Sequence, residues 1–195
     1  MHQGKPPKSA SVLTQSSRVL NVKSSIRGAV VLLSTALFTA TAPSLSSAGE
    51  VEFKSLITEG DQVPAFVIND LRGAAFDIRK LRGKVVLINF WATWCTPCLV
   101  EMPYLEEEVW QRYRSDDFEM IAIARGETVE EIQSFLSRHP YSFRTAADPG
   151  RDVYGLFSEE GLPRSYLIGA NGQVVFQSVG PESVRSPILS DDAGI

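Results

Sequence analysis

Cysteine is nearly absent from this chain, which has only Cys95 and Cys98 among 195 residues. That excludes a small scaffold stapled by several disulfides, and it excludes a zinc site closed by four cysteines. Histidine is equally scarce: His2 and His139 are the only two, and neither is near the cysteines in sequence, so no metal site is expected. A surplus of positive charge is also missing. The formal net charge is −4, too acidic for a bulk electrostatic grip on nucleic acid. Acidic residues are absent from the first 48 positions, which carry Lys5, Lys8, Arg18, Lys23 and Arg27. The other 147 residues hold 14 basic and 23 acidic side chains, a net charge of −9. What remains is an ordinary globular composition, 44% hydrophobic and 22% charged, sufficient for one domain with a sizeable core.

The N-terminal segment has the order of an export signal. A basic, serine-rich stretch precedes the apolar residues 28–42, and small residues ending in Ser46, Ser47 and Ala48 follow. Cleavage is expected after Ala48, which divides the chain into a signal at 1–48 and a domain at 49–195. A retained anchor is the alternative, although these 15 apolar residues fall short of the roughly 20 that cross a bilayer as a helix. Export would place the cysteine pair where disulfides persist.

The domain reads as alternating strands and helices. Extended pieces are expected at 63–69 and 75–78. Residues 85–90 (VVLINF) form an apolar run typical of a strand buried on both faces. Over 95–114 the apolar positions Leu99, Met102, Leu105, Val109 and Tyr113 take helical steps, with Pro103 expected to bend the helix. A second buried strand follows at 118–124. Thr128 and Glu131 form a capping box for a helix ending near His139. A short strand at 141–146, a short helix at 151–157 and a hairpin across Asn171-Gly172 complete the pattern, with a weakly helical tail broken by Pro187. This order predicts a partly parallel sheet with helices on both faces and an antiparallel edge.

The chemistry lies in Trp91-Ala92-Thr93-Trp94-Cys95-Thr96-Pro97-Cys98, directly after the VVLINF strand. A cysteine pair that opens a helix places its first sulfur among free backbone N–H groups at the positive end of the helix dipole. Cys95 is therefore expected to ionise more readily than an ordinary thiol, with Cys98 one turn deeper. Cys95 would attack a disulfide and Cys98 would resolve the mixed disulfide. A metal half-site and a purely structural bridge are the competing readings of the same spacing.

These residues resemble the thioredoxin superfamily, and within it the exported thiol–disulfide oxidoreductases of the TlpA, ResA and CcmG type. NFWATWCTPC (89–98), Glu101-Met102-Pro103, Gly161-Leu162-Pro163 and YLIGANG (166–172) carry the resemblance, which spans roughly 60–181. It implies an α/β thioredoxin-like fold, with a mixed central sheet flanked by helices. It also implies an additional strand and helix, about 118–141, between the CxxC helix and a cis-proline. Pro163 matches that cis-proline, which would present the Leu162 backbone to an extended substrate. Asn89 stands where a buried Asp is common. Glu101, one helical turn beyond Cys98, takes over as the expected proton carrier for that thiol. Trp94 would cover the disulfide and meet partners, and Trp91 belongs to the core.

The resemblance further implies protein thiols and disulfides as substrates, apocytochrome c among them, with no bound cofactor and no nucleic acid. A membrane electron donor of the DsbD or CcdA kind would recharge a monomeric periplasmic reductase, either free or tethered through residues 28–42. Arg164 departs from the pattern: a cation there would stabilise the thiolate, select acidic partners or point into water. Two rival activities share the fold. A peroxiredoxin-like peroxidase would set a Thr three residues before its cysteine, whereas Thr93 is two before Cys95. An SCO-like copper chaperone would need a wider cysteine spacing and a distant His, for which His139 is a poor candidate.

Overall fold

The computed structural model describes residues 53–115 and 117–180. The expected signal at 1–48 and the tail containing Pro187 lie outside them. The sheet is organised around β3 (Val85–Trp91), whose β-branched and aromatic residues are buried from Val86 onward. On one side β3 pairs in parallel with β4 (Phe118–Arg125), and β4 with β5 (Arg144–Asp148). On the other side β6 (Arg164–Ile168) and β7 (Val174–Val179) add antiparallel strands. The order is β5-β4-β3-β6-β7, with β1 (Val67–Asn69) and β2 (Ala75–Asp77) forming a separate antiparallel hairpin.

Alternation along β3 divides the core in two. Leu87 and Trp91 face Cys98, Met102, Leu105, Val109 and Ile132. Val86, Ile88 and Phe90 face Phe66, Phe76, Tyr154 and Phe157. Helices were expected over both faces. Among the described residues the α-helices serve the first face, while the second is covered by the β1–β2 hairpin and short 3₁₀ turns. The helix expected at 151–157 is one such turn, Tyr154–Leu156. Tyr154 and the C-cap residue Phe157 pack on Phe90 at ring distances of 5.2 Å and 5.0 Å, so side-chain burial replaces helix length.

The helix after the cysteines runs as α1 (Thr96–Tyr104), a π-helical stretch (Leu105–Trp110) and a last turn, α2 (Gln111–Tyr113). Pro103 has no N–H to donate, and its ring crowds the carbonyl one turn back. The bend expected there takes the form of a change to wider π spacing just after it. Helix α3 (Val129–Leu136) opens on the Thr128–Glu131 capping box and stops before His139. Ser137 and Arg138 offer no apolar surface to prolong it against the sheet. Strand β5 begins three residues later than the expected 141–146. Tyr141 and Phe143 instead stack on each other at 5.3 Å before the strand begins. At the hairpin, Gly172 adopts φ +75° and donates to the Gly169 carbonyl at 2.7 Å, so the glycine supplies the left-handed bulge of a four-residue turn.

Arg164 corrects an expectation. The side chain is 1% exposed and does not point into water. Its guanidinium donates to Ser55 Oγ, to Tyr166 Oη at 3.2 Å and to the Glu160 carbonyl at 2.9 Å. It thereby ties the segment entering the domain to β6. Arg164→Ala would leave several buried acceptors unpaired. Urea unfolding is expected to show a loss of roughly 2–4 kcal/mol.

Candidate active site

Strand β3 ends at Trp91, fully buried against Phe135 at a ring distance of 5.5 Å. The chain then turns through Ala92–Trp94 and enters α1 with Cys95 as its N-cap. The backbone N–H of Cys98 donates to Cys95 Sγ at 3.3 Å. Pro97 sits in the first turn, where a missing N–H costs no helical bond. The two sulfurs are joined in a disulfide, with Cα atoms 5.3 Å apart. Cys95 is 6% exposed and Cys98 is fully buried, so Cys95 is the outer sulfur and Cys98 the inner one. When the bond opens, the amide that now meets Cys95 Sγ and the helix end behind it favour negative charge on that sulfur.

Glu127 holds the loop before Cys95. Its carboxylate accepts from the Thr93 backbone N–H at 2.8 Å and from the Thr93 hydroxyl. The residue is buried, so its charge is spent on the loop rather than on solvent. Sequence reasoning missed it, because a Glu beside a helix start reads as a solvated dipole partner. The one available signal was its position before the Thr128 cap, outside the helix.

Behind the disulfide lies a buried polar chain. Asn89 on β3 donates to Glu101 Oε2 at 3.3 Å and to Ser165 Oγ at 3.0 Å. Glu101 Oε1 has no hydrogen-bond partner among the described residues. Burial penalises the carboxylate form and pushes the Glu101 pKa up to about 7, and the bond from Asn89 offsets this only in part. Helical spacing puts Glu101 one turn beyond Cys98 on the buried side of α1. A carboxyl with that pKa can accept or return a proton near neutral pH.

The opposite wall is the Gly161-Leu162-Pro163 turn, and the Leu162–Pro163 bond is cis, as expected. Gly161 takes φ +94°, and a Cβ there would lie 2.7 Å from Phe53 Cγ, so glycine is required for Phe53 to pack on it. Tyr154 Oη donates to the Gly161 carbonyl at 2.9 Å and fixes the turn. The Leu162 backbone forms no hydrogen bond among the described residues. A groove of about 460 Å³ runs between these walls and includes Phe53, Trp94, Cys95, Arg125 and Leu162. Trp94 is 64% exposed. The structure thus places Trp94, Cys95 and Leu162 in one groove, with Cys98 and Glu101 on the buried side and Pro163 buried at the turn. Phe53 and Arg125 are the groove residues that the sequence did not reveal. Among the described residues no group of three or more His, Cys, Asp or Glu side chains could hold a metal ion. The His139 ring stacks on Phe135 at 4.6 Å.

Comparison with known proteins agrees with this geometry. The Redoxin family matches residues 58–192. The thiol-disulfide oxidoreductase ResA of Bacillus anthracis is 37% identical over 124 residues, covering 64% of this chain and 71% of the relative. The solution structure of a candidate protein disulfide isomerase from Bacteroides thetaiotaomicron superposes with a TM-score of 0.63 at 30% identity, over 65% of this chain and 82% of that one. The crystal structure of a thioredoxin-family thiol:disulfide interchange protein from Chlorobium tepidum gives 0.56 at 27% identity, over 63% and 87%. A strand-to-helix cysteine pair facing a cis-proline, on a sheet shared with these proteins, makes this chain a member of the redoxin family within the thioredoxin superfamily, a protein-disulfide oxidoreductase of the TlpA/ResA/CcmG type.

Proposed function

We propose that this oxidoreductase works as an exported reductase of protein disulfides, with Cys95 as nucleophile and Cys98 as resolving thiol. The observation that carries the reading is Cys95 Sγ at the N-cap of α1, accepting from the Cys98 N–H at 3.3 Å. In the reduced enzyme the Cys95 thiolate attacks a substrate disulfide, forms a mixed disulfide and expels one substrate thiolate. Cys98 gives its proton to Glu101 and attacks Cys95 Sγ. The mixed disulfide breaks, the second substrate cysteine leaves as a thiolate and takes up a proton, and the Cys95–Cys98 bond closes. Two electrons pass from the enzyme dithiol to the substrate.

The free Leu162 backbone beside Pro163 supports pairing with an extended substrate segment, with Trp94 as an apolar contact. The basic-then-apolar order of residues 1–48 supports export to the periplasm, with residues 28–42 as the tether if the segment is retained. No helix among the described residues is long and apolar enough to cross a membrane. Oxidised cysteine pairs of exported proteins, including apocytochrome c, are the proposed substrates, and a membrane dithiol donor of the DsbD or CcdA kind recharges the monomeric enzyme.

The direction of electron flow is tested by equilibrating the protein with defined thiol–disulfide buffers. A reductase is expected to give a potential near that of thioredoxin, about −270 mV. A value near that of DsbA, about −120 mV, would reverse the assignment.

A further inference from the structure

We propose that Arg125 is a specificity-determining residue that selects disulfide-bearing protein segments with an Asp or Glu beside the attacked cysteine. This rests on Cys95 as the nucleophile and adds the chemistry of what binds next to it. Arg125 is the last residue of β4, one position beyond the Trp91–Ala124 pair that precedes the cysteine loop. It lines the same groove as Cys95, and it is the only charged residue in that lining, otherwise formed by such residues as Phe53, Trp94, Pro97 and Leu162.

The guanidinium is held but not neutralised. Its carbon lies 4.7 Å above the Tyr154 ring, and Tyr154 is itself fixed by its hydroxyl bond to Gly161. The Arg125 side chain forms no ion pair or hydrogen bond among the described residues, and its buried Nε is unsatisfied. Nearby carboxylates are committed elsewhere: Glu127 to Thr93, and Asp148 to the Val153 and Tyr154 amides. With no ion pair or side-chain hydrogen bond on it, the planar N–H fork of the guanidinium is available to a carboxylate, whose geometry it matches.

The setting makes this cation informative. The domain is strongly acidic overall, so long-range repulsion disfavours acidic partners. An uncompensated arginine beside the nucleophile reverses that preference locally. The occupant that complements the groove is an extended apolar segment with a carboxylate next to its cysteine. A cation acting on the Cys95 thiolate alone would accelerate exchange with every disulfide equally, so selectivity between substrates separates the two roles.

The test uses the full chain, reduced, with three cyclic disulfide peptides that differ only in Glu, Gln or Lys beside one cysteine. Second-order rate constants for peptide reduction are measured at low and high salt. The wild type is expected to favour the Glu peptide over the Gln peptide by about tenfold at low salt, as for a charge-assisted bidentate contact, and to lose most of that preference at high salt. Arg125→Gln should bring the ratio close to one. Arg125→Lys should keep part of the preference, and Arg125→Glu should favour the Lys peptide. An unchanged Glu-to-Gln ratio in Arg125→Gln overturns the proposal. So does an equal slowing of all three peptides accompanied by a higher Cys95 alkylation pKa. Failure of the wild type to reduce any of the peptides would instead remove the Cys95 nucleophile reading beneath it.

Discussion

Cys98→Ser is expected to lose multiple turnover completely while retaining one attack. Cys95 keeps its helix-end position, so it still opens a substrate disulfide. The inner serine cannot expel the bound sulfur, and the mixed disulfide accumulates as a covalent adduct that dithiothreitol releases. Purifying this variant from the envelope and identifying the adduct by mass spectrometry would name the physiological partner. Cys95→Ser is expected to form no adduct, because Cys98 is fully buried and cannot reach a visiting protein. Equal trapping by both variants would contradict the assignment of outer nucleophile and inner resolver.

Glu101→Gln is expected to slow the resolving step by roughly 10²–10⁴, the usual contribution of a positioned acid–base group. The wild-type step should accelerate as pH rises through about 7, where Glu101 becomes able to accept the Cys98 proton. The glutamine variant should lose that limb of the profile. A profile identical to the wild type would reduce Glu101 to a packing role.

The same substitution has an opposite effect on folding. In the oxidised protein Glu101 has a pKa of about 7 against an ordinary 4.5, so the folded state holds its proton more tightly than the unfolded chain. Stability from this group is full below about pH 4.5 and is lost as pH rises through about 7, amounting to about 3 kcal/mol. Oxidised Glu101→Gln should therefore exceed the wild type by up to ~3 kcal/mol at pH 8 and match it near pH 4, as read from urea unfolding. A carboxyl kept at that cost marks a site where activity has been favoured over stability.

Much of this was legible because it rested on local pattern. VVLINF could only be a doubly buried strand, Thr128 and Glu131 carry a complete capping box, and the cysteine pair with Glu101 and Pro163 forms a recognisable constellation. The charged residues were different. Arg164 stood out in sequence only as a cation with three open roles, and Glu127 and Arg125 did not stand out, yet each takes its role from partners brought by the fold. Ser55 and Tyr166 bury Arg164, Thr93 engages Glu127, and the Tyr154 ring supports Arg125. The start of β5 was misplaced for a similar reason. Tyr141 and Phe143 have strand-forming side chains, but pairing with β4 begins only at Arg144.

The contact of Phe53 with Gly161, together with the bond from Arg164 to Ser55, carries a practical consequence. Family similarity begins at residue 58, so a truncation placed at that boundary would discard both residues. The shortened protein would keep its redox pair yet lose one side of its docking cleft, and kinetics measured on it would misrepresent the choice of client proteins.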